Sequence, residues 1–158
     1  MNIVTIGYIT GERCFLLIRV PTNNEVSIIR SYAKIVQEEA TVGYLKQTDD
    51  VPNMDSHFVG PSYYFVLLEK RNLCGWILVG ETVDPFKNQP TGIILELYIL
   101  SKHRKKGYGV ELMKYALATL RNKGYNKVQL NVFSGNPAHK MYKKLGFKDV
   151  STTMERKI

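Results

Sequence analysis

The chain has 158 residues, 44% of them apolar, and a formal charge of +8 at pH 7. That length holds one domain with a core, and the apolar share excludes a disordered chain. No apolar run reaches the roughly 18 to 20 residues of a membrane-spanning helix, and the positive charge fits polyanion partners without choosing among phosphates, nucleic acid and acidic surfaces.

The chain begins Met1-Asn2-Ile3-Val4, with no basic stretch ahead of a long apolar one, so no secretion signal is expected. Residues 3–9 and 14–20 are apolar, β-branched runs around Thr10-Gly11-Glu12-Arg13, the pattern of a hairpin. The cysteines, Cys14 and Cys74, have no metal-ligand spacing and read as small buried hydrophobes of a reducing cytosol. A cytoplasmic location is therefore expected. Pro21 stops the second strand. Thr22-Asn23-Asn24-Glu25 has the form of a capping box, in which hydroxyl and carboxylate each satisfy a backbone donor. Ile28, Ile29, Tyr32, Ile35 and Val36 then recur with the period of about 3.6 residues of a surface helix, with Arg30, Lys34 and Glu38 opposite.

In residues 40–62, Pro52, Asn53, Gly60 and Pro61 break the pattern, and a short helix plus a loop is expected. Residues 63–69 and 74–80 form a second strand pair around Lys70-Arg71-Asn72-Leu73, and residues 84–91 form a loop. The run from Ile93 to Leu100 is nearly continuous in apolar character, as a strand buried on both faces would be. It opens into the basic stretch Lys102-His103-Arg104-Lys105-Lys106, followed by Gly107-Tyr108-Gly109 and a helix from about Val110 to Lys123. That helix turns Leu112, Met113, Ala116, Leu117 and Leu120 inward, and Gly124 stops it. Residues 127–133 alternate with Val128, Leu130 and Val132 on one face, so strand, helix and strand form a βαβ unit with parallel strands. Asn136 and Pro137 suit the start of a last helix, Gly146 suits its end, and Phe147 suits the accompanying hydrophobic contact. One or two further strands are expected after it.

A buried strand, a basic glycine-containing turn and a new helix N-terminus together make an anion site. The first N–H groups of a helix lack intrahelical partners and carry the positive end of its dipole. Glycine lets a phosphate approach that backbone closely. His57, His103 and His139 show neither a paired nucleophile nor metal spacing, so no metal is expected.

Arg104-x-x-Gly107-x-Gly109 after Leu97-Tyr98-Ile99 resembles the pyrophosphate loop of the GNAT superfamily of acetyltransferases. Asn136-Pro137-Ala138 followed by Tyr142, Leu145, Gly146 and Phe147 resembles that family's second landmark. The strand ending Ile18-Arg19 and the helix after Thr22 resemble its first strand and helix, so only residues 40–62 and 84–91 fall outside the likeness.

The resemblance implies a single α/β domain over residues 1–158, with a mixed, mostly antiparallel sheet and helices on both faces. It implies acetyl-CoA bound by Tyr98, Ile99, Arg104, Lys105, Lys106, Gly107, Tyr108, Gly109 and Asn136. The family asparagine usually stands one residue further from the tyrosine than Asn136 does, so a capping role for Asn136 is the alternative. The resemblance also implies acetyl transfer to an amine by direct attack. Tyr142 would be the acid for the departing thiolate, the open edge of the Leu97–Leu100 stretch would give the oxyanion donor, and Glu96 is the candidate base. Glu96 has the opposite parity to the family's usual base, and only a β-bulge would re-aim it. A silent coenzyme-binding protein and, less favoured, a basic nucleic-acid-binding module are the rival readings. The acceptor and a homodimer are left open.

Overall fold

The computed structural model describes the backbone of residues 4–5, 8–9 and 12–13, and residues 15–50, 60–84 and 86–158 in full. The strands are β1 (Val4–Thr5), β2 (Tyr8–Ile9), β3 (Glu12–Arg13), β4 (Leu16–Arg19), β5 (Tyr63–Glu69), β6 (Asn72–Val83), β7 (Pro90–Ile99) and β8 (Val128–Leu130). The helices are α1 (Asn23–Ser31), α2 (Ala33–Ala40), α3 (Tyr108–Asn122) and α4 (Ala138–Lys144). One sheet runs in the order β1-β4-β5-β6-β7-β8, antiparallel throughout except for the parallel β7–β8 pair. This is the expected mixed, mostly antiparallel α/β fold.

Two apolar clusters sandwich the sheet. Leu67, Ile77, Val79 and Ile94 meet Leu112, Met113, Ala116 and Leu120 of α3, with Met141, Tyr142 and Leu145 of α4 against their edge. On the other face Val66, Leu68, Trp76 and Tyr98 meet Ile29 of α1 and Val36 of α2. Trp76 is wholly buried, and truncating such a side chain to alanine costs about 3 to 5 kcal/mol.

The local signals shape these elements as expected. Thr22 Oγ1 accepts from the Glu25 N–H, and the Glu25 carboxylate accepts from the Thr22 N–H. Glu25 also holds Arg19 at 2.7 Å, and that partner pushes its pKa below the usual range. Gly124 and Gly146 end α3 and α4 at φ 95° and 91°, and the N–H groups of Tyr125 and Phe147 reach back to the carbonyls of Leu120 and Tyr142.

Other expectations are corrected. The helix predicted from Thr22 onward is broken at Tyr32, whose ring stands edge-on to Trp76 at 5.8 Å between centroids. Glu12 and Arg13 are paired with Ile9 and Tyr8 in a small ladder rather than forming a turn. The β5–β6 turn is only Lys70-Arg71, both left-handed at φ 48° and 69°, so Asn72 and Leu73 belong to β6. Residues 41–50 form turns with no helix, and residues 51–59, with His57, lie outside the described residues. No strand follows β8: residues 148–158 are exposed and carry too few apolar side chains to alternate against the sheet. Among the described residues, no helix is long and apolar enough to cross a membrane.

Candidate functional site

The basic loop leaves β7 through a short 3-10 turn, Ser101–His103. Lys105 and Gly107 both take left-handed backbone, at φ 63° and 82°, which turns successive amides toward one side. A side chain at Gly107 would meet nothing within 4 Å, so glycine is needed there for its conformation and not for space. α3 starts directly afterwards, and the N–H groups of Val110 and Glu111 both return to the Gly107 carbonyl. Among the described residues, the amides of Lys105, Lys106, Gly107 and Gly109 have no hydrogen-bond partner. Unpaired amides at the positive end of a 15-residue helix form an anion cradle.

The side chains divide. Lys105 is exposed and has no ion-pair partner among the described residues, while Lys106 lies 3.3 Å from Glu69 and over the Tyr108 ring. Arg104 reaches toward α2. Its Nε donates to the Ile99 carbonyl at 2.9 Å, and its guanidinium meets Glu39 of α2 at 2.5 Å above the Tyr98 ring. The Tyr98 hydroxyl also donates to Glu39. Arg104 therefore ties the end of β7 to α2, a role no local spacing could reveal because Glu39 is distant in sequence. Tyr108 is buried. Gly109 sits where a Cβ would be 3.4 Å from Met141 Sδ, so α4 crosses closely over the start of α3.

The sheet opens beside this loop. β7 pairs with β8 only at Gly92, Ile93 and Ile94, so, among the described residues, residues 95–99 have a free edge. On the other side, Val79 pairs with Ile94 and Leu78 with Glu96, which leaves Leu95 as an extra, bulged residue. Leu100 N–H donates to Cys74 on β6, so alternation aims the amides of Leu97 and Ile99 at the free edge. The Leu100 amide itself is thus unavailable there.

The bulge settles the orientation of Glu96. Ile94, Leu97 and Ile99 face α3, whereas Glu96 lies on the α1–α2 face with Tyr98 and accepts from Trp76 Nε1 at 2.5 Å. Burial raises the Glu96 pKa, and the indole hydrogen bond opposes it in part. Tyr64 stands nearby, its phenol pushed up to about 12 by burial and by the Glu96 charge, with Arg30 acting the other way. Tyr142 packs on the α3 face against Phe147 at 6.0 Å between centroids. Its hydroxyl has no partner among the described residues, and burial raises its pKa, so it holds its proton at neutral pH. Glu96 and Tyr142 thus sit on opposite faces of the sheet.

Asn136 acts as a cap and a tether. Its Oδ1 accepts from the Ala138 N–H, and its Nδ2 donates to the Ala40 carbonyl at the end of α2, both at 2.9 Å. The side chain is therefore committed within the protein. Glu39, Trp76 and Met141 were not anticipated as parts of this region. Only Trp76, the sole tryptophan, stands out in the sequence.

The profile of the acetyltransferase (GNAT) family matches residues 29–147. No curated protein sequence matches. Several solved structures share the fold over nearly their whole length. A Pyrococcus furiosus protein named as an acetyl transferase is 22% identical, with a TM-score of 0.68 over 90% of this chain and 99% of its own. The ribosomal-protein-alanine N-acetyltransferase of Brucella melitensis is 15% identical, with a TM-score of 0.61 over 89% and 98%. The aminoglycoside N-acetyltransferase AAC(6')-Iy in complex with CoA is 13% identical, with a TM-score of 0.64 over 95% and 99%.

Proposed function

Because this chain belongs to the GNAT family of acetyltransferases, we propose that it moves an acetyl group from acetyl-CoA to a primary amine by direct attack, within one domain spanning residues 1–158. The family uses acetyl-CoA, which supplies the activated thioester. The observation that carries the site assignment is the row of unpartnered amides at Lys105, Lys106, Gly107 and Gly109 beside the free edge of β7. A diphosphate fits that cradle, with Lys105 beside it and Lys106 within reach once it leaves Glu69. Tyr98, Ile99 and Tyr108 shape the wall next to it. Arg104 acts as a brace between β7 and α2, and Asn136 holds α4 against α2.

The chemistry needs a base, a donor and an acid. An ordinary alkylammonium has a pKa of about 10.4 and must lose a proton before attack. Glu96, with its pKa raised by burial, is suited to take it directly or through a water. The Leu97 amide, preorganised on the free edge, faces the oxygen that gains charge. Tyr142, held protonated, returns a proton to the departing thiolate from the other face. No cysteine or serine in either motif has a base beside it, which favours direct attack over a covalent enzyme intermediate.

The test is thiol release from acetyl-CoA across a panel of polyamines, aminoglycosides, amino acids and peptide N-termini, with thermal shift run alongside. Acetyl-CoA at about 100 times its Kd should add roughly 2.7 kcal/mol of stability, and at least one amine should release thiol. Thermal stabilisation without release by any amine would leave a coenzyme-binding protein. Neither effect would remove the site assignment.

A further inference from the structure

We infer that Glu69, Cys74 and His103 form a zinc site, distinct from the cradle and separate from the acetyl-transfer reading. The ligand atoms come from three places. Glu69 ends β5, Cys74 lies two residues inside β6, and His103 closes the 3-10 turn after β7. Two features bring them together. First, Leu67 pairs with Gly75 and Leu68 with Leu73, so Cys74 is an unpaired bulge residue whose side chain is re-aimed. Second, Leu100 N–H binds the Cys74 carbonyl at 2.9 Å and His103 N–H binds the Leu100 carbonyl at 2.8 Å, which draws the turn over the bulge.

As a result a carboxylate oxygen, Sγ and an imidazole nitrogen all lie within 4.8 Å of one another, the single such group among the described residues. Both ring nitrogens of His103 are buried and have no hydrogen-bond partner among the described residues. A buried polar atom left unpaired is costly, so an imidazole with two such atoms points to a missing partner. Glu69 Oε2 lies 3.9 Å from Nδ1, too far for a hydrogen bond and wide enough for an ion between.

Thiolate, imidazole and carboxylate together suit Zn²⁺, with a fourth, tetrahedral position for water. Binding deprotonates the Cys74 thiol, releases one proton to solvent and changes no oxidation state. Lys106, now on Glu69 and 46% exposed, has the freedom to swing away. The chain's sequence spacing hides the site, because its ligands converge only through a bulge and a crossover.

Cobalt(II) titrated into the metal-free wild-type chain is the direct probe. The expected result is one ion per chain, a thiolate-to-cobalt charge-transfer band, the intense visible bands of a tetrahedral ion, and displacement of all of these by zinc. Zinc affinity, measured against a chromogenic chelator, should fall more than about 100-fold in Cys74→Ser and in His103→Gln, beyond the loss of an outer-shell partner. It should be unchanged in Cys14→Ser and His139→Gln. Circular dichroism checks that each variant folds. A wild-type spectrum without the charge-transfer band, or a band that survives Cys74→Ser and vanishes in Cys14→Ser, overturns the assignment. The wild-type readout needs no variant, acetyl-CoA or turnover, so it is independent of the acetyltransferase reading.

Discussion

The two halves of β7 make different uses of one strand. Residues 92–94 are paired on both sides, and Gly92, Ile93 and Ile94 are buried. Residues 95–99 keep β6 but lack β8, and four of the five are only half-buried. The first half satisfies its backbone within the sheet and contributes stability. The second keeps amides and a carboxylate available for a ligand. A saturated ladder has nothing left to bind with, so the half proposed to react is the half the sheet does not complete.

Four variants test this division. The largest effect is expected at Tyr142→Phe, which should lower kcat by about 10²- to 10⁴-fold, as loss of a general acid does. Its acetyl-CoA KM and melting temperature should hardly move; steady-state kinetics with unchanged turnover would remove Tyr142 from the chemistry. Next is Ile94→Ala in the paired half, expected to cost about 2 to 5 kcal/mol of stability in urea unfolding. Acetyl-CoA affinity of the folded fraction should be preserved, and a loss of affinity instead of stability would erase the distinction between the halves.

Glu96→Gln should then lower kcat/KM by about 100-fold, at the lower end for a general base, while its amide oxygen can still accept from Trp76. The sign with pH can be worked out. The Glu96 pKa is raised in the fold, so wild-type rate falls as pH drops through that raised value. The stability contribution of the group runs the other way, growing as pH falls, because the folded form holds the proton more tightly. The acidic limb of the rate profile should vanish in Glu96→Gln, and a limb that persists assigns the base elsewhere. The smallest effect is expected for Gly107→Ala. A left-handed alanine costs about 1 to 2 kcal/mol, read as a roughly fivefold or greater rise in acetyl-CoA KM with kcat retained.

What could be read in advance was local. The Thr22–Glu25 box, the stops at Gly124 and Gly146, the glycine loop before α3 and the βαβ unit each need only neighbouring residues, and all were found in place. What could not be read depends on residues far apart. Arg104 chooses Glu39 across the fold, Asn136 chooses the Ala40 carbonyl, and Tyr32 breaks its helix where it meets Trp76. The expected strands after α4 were wrong because a composition compatible with extension supplied no edge contacts. The parity of Glu96 was ambiguous because a bulge adds a residue without any signature in the residue types.

That added residue sets the phase of the strand. Side chains alternate along β7, so Leu95 shifts the alternation by half a cycle between the buried half and the open one. In an unbulged ladder, with Leu95 opposite Leu78, the first half would keep its register. The Glu96 carboxylate would then turn into the oily interior beneath α3, and Leu97 would come out in its place. The slip at one leucine thus governs which side of the sheet carries the carboxylate proposed as base.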